Sequence, residues 1–395
     1  MKINSIKLEN FKFYTKQYFS PNNKNIILYG ENGSGKSSLY WALHNFYKAL
    51  FSNSPNKYLD GLDSTQDNSL ANHNTKQDAK IEITFNGVGS IALDKNGFQN
   101  QSVIDTSSIN TIHFLNHKKL YDLLANKKNE LYNFFTVLND ELMEKFVFFL
   151  DLQKEYNNAL GAIQTNQNLQ QLNNELARRL NNLQTKTNDT LRDIFKENLN
   201  IEFVINDNFT ASMVGGTSTW QIENPTILLK INDNEDFLLR LNEARLKLVS
   251  MVIYLVLMID AKRFPIQNNQ LKLIVLDDIL LSLDMAQRTK ILDFIFQEFL
   301  TDYQIFIFTH DIFFYDLVKR KIMHFENITD FKQTKWEDRF VFSRENPNGY
   351  FEPIIYKADD DFLERAKKNL TDNDLAECGN NLRKEIEKIL HQMMI

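Results

Sequence analysis

Two short stretches limit what this chain can fold into: Gly30-Glu31-Asn32-Gly33-Ser34-Gly35-Lys36-Ser37 and Leu273-Ile274-Val275-Leu276-Asp277-Asp278. The first fits G-x-x-x-x-G-K-[ST] in full. An apolar run, Ile26-Ile27-Leu28-Tyr29, ends on Gly30, and past the loop Leu39, Leu43, Phe46 and Leu50 recur at helical spacing. Strand, glycine loop and helix is the context such a match requires. Gly30, Gly33 and Gly35 let backbone N–H groups close around phosphate oxygens, Lys36 neutralises the β/γ oxygens, and the Ser37 hydroxyl reaches Mg²⁺. Glu31, Asn32, Ser34 and the following Ser38 complete the expected nucleotide-contacting run. In the second stretch four apolar residues deliver a carboxylate, as a buried strand would. Residues 38–272 stand between the two halves, far more than a compact enzyme of this type needs, so a large insertion within one nucleotide-binding unit is expected.

At 395 residues and 43% hydrophobic, the chain can bury a sizeable core and divide into two or three units. The net charge of −6 gives no global basic field. Nucleic-acid binding would need lysines and arginines gathered on one face, so it is neither required nor excluded. The single cysteine, Cys378, has no internal disulfide partner, and Met1-Lys2-Ile3-Asn4 has no apolar signal core. Both predict the cytoplasm. The apolar run 248–259 is interrupted only by Ser250 and falls short of the roughly 20 residues that cross a bilayer, so it reads as a buried helix and no membrane is expected.

Along the chain, Ile3, Ile6, Leu8 and Phe11 mark an opening strand, and 52–78 reads as an exposed polar loop. Segments 81–85, 91–93 and 111–115 read as strands of a mostly antiparallel layer. From 139 to 198 the pattern turns helical, with Leu169, Leu172, Leu176, Leu180 and Leu183 three and four apart. Two helices of about 30 residues would project on the order of 45 Å; an amphipathic pair packed on the body fits the same leucines. Strand character returns at 201–205 and 226–231. A parallel core follows, with strands at 273–276 and 305–308 and a helix near 291–299. Asp359-Asp360-Asp361 suits a helix N-terminus, where carboxylates complement the dipole; metal binding is the alternative. The tail from 361 reads as two helices separated near 372–374, with Leu382, Ile386, Ile389, Leu390 and Met393 on one face, either packed on the body or open to a second chain. The expected units are 1–138, a helical insertion at 139–200, 201–345 and a helical tail at 346–395.

Asp277 is the metal-side carboxylate of the second stretch. Asp278 stands where a general base would polarise an attacking water, a task that needs hydrogen-bond reach of the nucleophile. Aspartate is one methylene shorter than the more familiar glutamate, which predicts slow hydrolysis with intact binding. Ser282-Leu283-Asp284 and Thr309-His310 follow in order, and His310 at a strand end is expected to sense the γ-phosphate. Ahead of the apolar helix sits Leu241-Asn242-Glu243-Ala244-Arg245. A polar side chain and free N–H groups at a helix start make an anion site; Glu243 either weakens it or pairs with Arg245.

That segment resembles the Leu-Ser-Gly-Gly-Gln signature which ATP-binding-cassette (ABC) ATPases press onto a nucleotide held by a second subunit, with Asn242 for serine and Glu243-Ala244 for the glycine pair. With the phosphate loop, Asp277-Asp278, Asp284, His310 and the opening Leu8-Glu9-Asn10-Phe11-Lys12, the chain resembles ABC-type ATPases of the structural-maintenance (SMC), Rad-fifty and RecF class. More narrowly, 276–285 with 241–246 is similar to the small ATPases of bacterial anti-phage systems such as Septu. The resemblance covers most of 1–50 and 241–311. It implies an α/β P-loop NTPase of ABC-ATPase type: a mixed sheet with an antiparallel layer, a short coiled-coil-like helical insertion and a helical tail. It also implies ATP and Mg²⁺ as cofactors and a homodimer or higher oligomer, each Lys36 site completed by the partner's Asn242, Glu243, Ala244, Arg245 and Asp284. A coupling glutamine of such ATPases would correspond by position to Asn116. His113 and His117 have the spacing of a zinc helix, but no Glu or Cys accompanies them.

The leading expectation is an ATP-gated switch controlling a separate nuclease in anti-phage defence, since the chain carries no nuclease motif of its own. A DNA-repair or chromosome-maintenance ATPase that binds nucleic acid directly, or through its partner, is the alternative. A transporter ATPase subunit is disfavoured by the degenerate signature and the internal helical insertion.

Overall fold

The computed structural model describes residues 1–51, 55–100, 111–116, 120, 124, 133–137, 155–159, 166–213, 220–233, 241–262, 270–279, 283–345, 349–357, 362–371 and 374–393. The chain begins with β1 (Ile3–Phe11), β2 (Tyr14–Phe19), β3 (Asn25–Tyr29), α1 (Lys36–Phe51) and α2 (Asn56–Asp60). Next come β4 (Lys80–Phe85), β5 (Gly89–Asp94), β6 (Gly97–Gln99), β7 (Ile112–Asn116), α3 (Phe134–Val137) and α4 (Asn166–Thr190), which runs into a π-helical turn at Leu191–Phe195. β8 (Ile201–Asp207), β9 (Thr210–Met213), β10 (Trp220–Glu223), β11 (Thr226–Ile231) and α5 (Glu243–Lys262) precede β12 (Leu273–Asp277), α6 (Met285–Phe299), β13 (Gln304–Thr309) and α7 (Ile312–Glu326). The chain closes with β14 (Trp336–Glu345), β15 (Phe351–Lys357), α8 (Phe362–Thr371) and α9 (Leu375–Met393).

A six-stranded sheet in the order β15-β14-β3-β13-β12-β7 divides the molecule, and only β15 runs antiparallel to its neighbour. Its central strands are apolar on both faces, as a parallel sheet covered on both sides must be. Alternate residues feed two cores, following the period of two along a strand. Ile26, Leu28, Val275, Phe306 and Phe308 join α1 and the antiparallel sheet β2-β1-β4-β5-β6. Ile27, Ile274, Leu276, Ile305 and Ile307 join a core that includes side chains of α4, α5, α6 and α7. Gln304 fastens the sheets together: fully buried, it accepts the Ile3 N–H at 2.6 Å and donates to the carbonyls of Ile3 (3.0 Å) and Lys24 (2.8 Å).

Three expectations change here, and a fourth, left open between two arrangements, is decided. Segment 111–115 was assigned to the antiparallel layer, but β7 pairs in parallel with β12 inside the central sheet. A short strand of this kind carries no mark of which sheet it joins. The loop 52–78 is tied down where described: α2 opens it, Leu62 is buried, Lys12 N–H donates to Leu70 O at 2.7 Å and Asn72 N–H to Asn10 O at 2.8 Å. Backbone hydrogen bonds hold it, which no apolar periodicity reports. Residues 351–357, placed in a helical tail, form β15. The fourth concerns the insertion. Of the two arrangements open for its leucines, α4 takes the packed one, with Leu172, Leu176, Leu180 and Leu183 buried in the core it shares with α5 and β8. Residues 138–154 and 160–165, the rest of the predicted helical stretch, lie outside the described residues, as do Gly215-Gly216 and Asp359-Asp360-Asp361.

The tail helices α8 and α9 dock through Arg365, Asn369, Cys378 and Asn381, all buried. Arg365 lies over the Phe340 ring and Lys384 over Phe342, so the hairpin sits on β14. Leu382 and Ile386 of the predicted apolar face stay exposed; the side chains of Ile389, Leu390 and Met393 lie outside the described residues.

Burial separates leucines that the sequence does not. Leu176→Ala on α4 is expected to lower the unfolding free energy by about 2–5 kcal/mol, whereas Leu375→Ala, at a side chain 68% exposed, costs less than about 0.5 kcal/mol. Urea denaturation of both variants measures the difference; equal losses would contradict the packing of α4.

Candidate phosphate and metal site

β3 ends where the glycine loop begins, and the loop delivers the chain into α1. Gly33 and Gly35 take φ of +81° and +99°, backbone that side chains strain to adopt. At Gly30 the obstacle is space: a Cβ would meet Val341 O at 2.4 Å and Ser34 Oγ at 2.6 Å. At Gly35 a Cβ would strike Pro353 Cγ at 2.5 Å. The loop is thus braced from behind by β14 and β15, and Tyr14 adds a hydrogen bond from its hydroxyl to Gly35 O at 3.2 Å. None of Val341, Pro353 and Tyr14 was legible as a site residue, because each acts through tertiary contact alone.

Lys36 is buried and its Nζ donates to Gly30 O (2.6 Å) and Glu31 O (2.9 Å). Burial lowers the ammonium's pKa, with Asp278, Asp277 and Glu31 opposing. Ser37 is exposed at the mouth of the loop, and Ser38 is buried with its N–H on Gly35 O at 3.0 Å. Glu31, Asn32 and Gly33 are exposed on the outer turn.

Strand order brings the second half-site to this loop. β13 lies between β3 and β12, so Thr309 pairs with Tyr29 on one side and Phe308 with Asp277 on the other. The ladder continues past the strands: Gly30 N–H donates to Thr309 O at 3.1 Å and Asp278 N–H to Phe308 O at 3.0 Å. The edge therefore collects Lys36, Ser37, Asp277, Asp278 and His310. Asn116, the candidate coupling residue, ends β7 in register with Asp277. His113 is buried beside Tyr254 and Tyr303 in β7, not on a helix, and His117 lies outside the described residues. The zinc alternative loses its helical geometry.

Asp277 is 7% exposed, and its Oδ1 is buried with no hydrogen-bond partner. Burial, then repulsion from Asp278, raises its pKa to about 7, against the Ser37 hydroxyl, Lys36 and His310. A buried carboxylate oxygen left unsatisfied beside a serine hydroxyl fits Mg²⁺, which uses one or two carboxylates and takes its other ligands from phosphates and water. Among the described residues no cluster of three or more His, Cys, Asp and Glu side chains exists that could hold a metal alone. Phosphate oxygens are needed to complete the shell.

Asp278 has φ of +49°, a left-handed backbone that aspartate tolerates better than most residues. Its Oδ1 accepts the His310 N–H at 3.0 Å, and its Oδ2 lies 3.0 Å from His310 Nδ1. That second approach is close enough for an ion pair with a protonated ring but is not aligned as a hydrogen bond. Both oxygens of the expected base are thus turned to His310.

Asn242–Arg245 and Asp284 form a second group. Asn242 caps α5, its Oδ1 accepting the Arg245 N–H at 2.9 Å, and Asp284 caps α6, accepting the Gln287 N–H at 2.8 Å. Glu243 pairs with the buried Lys247 one turn on, which settles its choice of partner against Arg245. Ala244 packs against the core, and Ser282 lies outside the described residues. Arg288 joins the two groups, donating to Leu283 O at 2.8 Å and pairing with Asp311, the cap of α7 beside His310.

The family described as AAA domain matches residues 5–212. No curated protein matches the chain. Among solved structures, it is similar to the Smc head domain with an extended coiled coil bound to the C-terminal domain of ScpA from Pyrococcus furiosus, at 13% identity and a TM-score of 0.48 over 94% of this chain and 99% of that one. An SmcHead bound to the C-winged helix domain of ScpA gives 13% and 0.48 over 91% and 99%, and the recombination mediator RecF-ATP gives 13% and 0.45 over 90% and 97%.

A carboxyl whose folded pKa is raised binds its proton more tightly folded than unfolded, so its stabilising share is lost as pH rises from 3.8 to about 7. In metal-free, nucleotide-free buffer, Asp277→Asn is expected to gain stability over the wild type across that window, by on the order of a few kcal/mol, and to hold the gain above it. Denaturant titrations at pH 4.5 and 8 measure it. A difference that does not change with pH would contradict the burial of an unsatisfied Asp277.

Proposed function

Since this chain belongs to the AAA-domain family, we propose that it binds ATP with Mg²⁺ at the edge of its central sheet, pairs with a second copy around the nucleotide, and gates a separate effector nuclease in bacterial anti-phage defence. The observation that carries the nucleotide reading is the unsatisfied Asp277 oxygen held beside Ser37 and the lysine of a complete glycine loop. Mg²⁺, when bound, supplies charge that neutralises the phosphates, and Ser37 and Asp277 are the residues that would hold it. Lys36 exchanges two loop carbonyls for phosphate oxygens, and the first-turn N–H groups of α1 meet the same anion.

Asp278 is the residue for activating water, and His310 the one facing the γ-phosphate. Asp278 gives one oxygen to the His310 N–H and turns the other to its ring, so an attacking water competes with His310 for the same carboxylate. That competition, with the short aspartate side chain, favours holding ATP over spending it.

Dimerisation is supported by the second group: Asn242, Arg245 and Asp284 stand at two helix starts, suited to a phosphate carried by another copy. Asn242 uses its Oδ1 to cap its own helix, so what it offers in trans is its Nδ2 amide with the backbone N–H groups of the helix start. The defence role rests on the resemblance of 241–246 and 276–285 to Septu-type ATPases and on the lack of a nuclease motif. No described helix is long and apolar enough to cross a membrane.

Sedimentation with and without Mg·ATP tests the switch. The wild type is expected to double in mass with nucleotide, Lys36→Ala to stay single, and turnover to lie below about 0.1 s⁻¹, a decade or more under ordinary enzymes. A mass unaffected by nucleotide, or rapid turnover that Asp278→Glu does not improve, would contradict it. A nuclease encoded in the neighbouring reading frame, with cutting that responds to ATP, checks the effector.

A further inference from the structure

The helical insertion ends in an unusual way. α4 gives way to the π-helical turn Leu191–Phe195, Lys196 takes a left-handed φ of +56°, and Glu197 N–H returns to Leu191 O at 3.0 Å. A π turn with a left-handed cap is a way of ending a helix that fixes the direction of the chain leaving it. Here the turn presents Glu197, a mostly buried side chain, to the starts of two helices at once. Its Oε1 accepts from Gln287 Nε2 at 2.7 Å, and its Oε2 lies 3.9 Å from Arg245 Nε. Lys290, one turn along α6 from Gln287, donates to Phe195 O at 2.6 Å and pins the same turn.

The two residues that Glu197 touches occupy equivalent places. Gln287 is the residue whose N–H is held by the Asp284 cap of α6, and Arg245 is the residue whose N–H is held by the Asn242 cap of α5. One carboxylate thus spans the capped first turns of both helices. We infer that Glu197 is a positioning residue that sets the Asn242–Arg245 and Asp284 segments in one register, so that the end of the insertion and the surface presented to a second copy move as a unit. A shift of α4 is then transmitted to both segments together, through Gln287 by a hydrogen bond and through Arg245 by charge. Glu197 touches neither the phosphate loop nor Asp277, so nucleotide binding by a single copy is independent of it.

This inference rests on nucleotide-driven pairing of two copies, and the experiment separates the two. Self-association of the full-length protein in Mg·ATP is measured by sedimentation for wild type, Glu197→Gln, Glu197→Ala, Gln287→Ala and the Glu197→Ala/Gln287→Ala double variant. ATP affinity at concentrations below association and the thermal midpoint are measured alongside. Glu197→Ala is expected to weaken association by about fivefold or more, within the range of coupling between sites. Single-copy ATP affinity stays within about twofold. Glu197→Gln keeps the acceptor for Gln287 and loses only the charge on Arg245, so it falls between wild type and Glu197→Ala. The double variant is no worse than Glu197→Ala, because the partners share one interaction. Wild type that does not associate with ATP removes the pairing reading and this inference with it. Wild type that associates while Glu197→Ala associates equally well overturns this inference alone. So does weakening that simply tracks a loss of thermal stability across all four variants.

Discussion

Parallel pairing of β13 between β3 and β12 is the constraint on which the site depends. With that order, the ends of three adjacent strands deliver the glycine loop, Thr309-His310 and Asp277-Asp278 to one edge. Two backbone hydrogen bonds beyond the strands, Gly30 to Thr309 and Asp278 to Phe308, carry the register into the loops that do the chemistry. Gln304 secures the other end of β13 to β1, and β14 and β15 brace the loop from behind. Were β12 to pair directly with β3, His310 would have no place between the phosphates and the acidic pair.

At that edge the electrostatics are arranged at a cost to the folded chain. Asp277 is buried with one oxygen unsatisfied and a like charge next to it, and Lys36 is buried against loop carbonyls. Asp277 in particular carries an oxygen that no protein group satisfies. Asp278 differs: its strained backbone is matched by two contacts to His310, so it is settled without ligand.

The parts legible in the sequence are those whose geometry is local. A glycine loop between an apolar run and an amphipathic helix specifies its own backbone, and an apolar strand ending in Asp277 specifies its own burial. What escaped depends on partners distant in the chain. The short β7 could join either sheet, and β15 falls between the ATPase core and the leucines from 363 on that read as helix. Glu243 had two cations within one turn, and Lys247, which sequence reading passed over, is the one it takes. Glu197 carries no motif at all, and its contacts with Gln287 and Arg245 exist only because the π turn aims it there.

The central claim is that Ser37 and Asp277 hold a metal that is bound together with the phosphates gripped by Lys36. The most direct measurement is equilibrium binding of a fluorescent ATP analogue with Mg²⁺ and with chelator, in wild type and Asp277→Asn. The account predicts that Mg²⁺ tightens binding by about tenfold or more in the wild type, that the increment is lost in Asp277→Asn, and that metal-free affinity is retained. An equal increment in both proteins would contradict it.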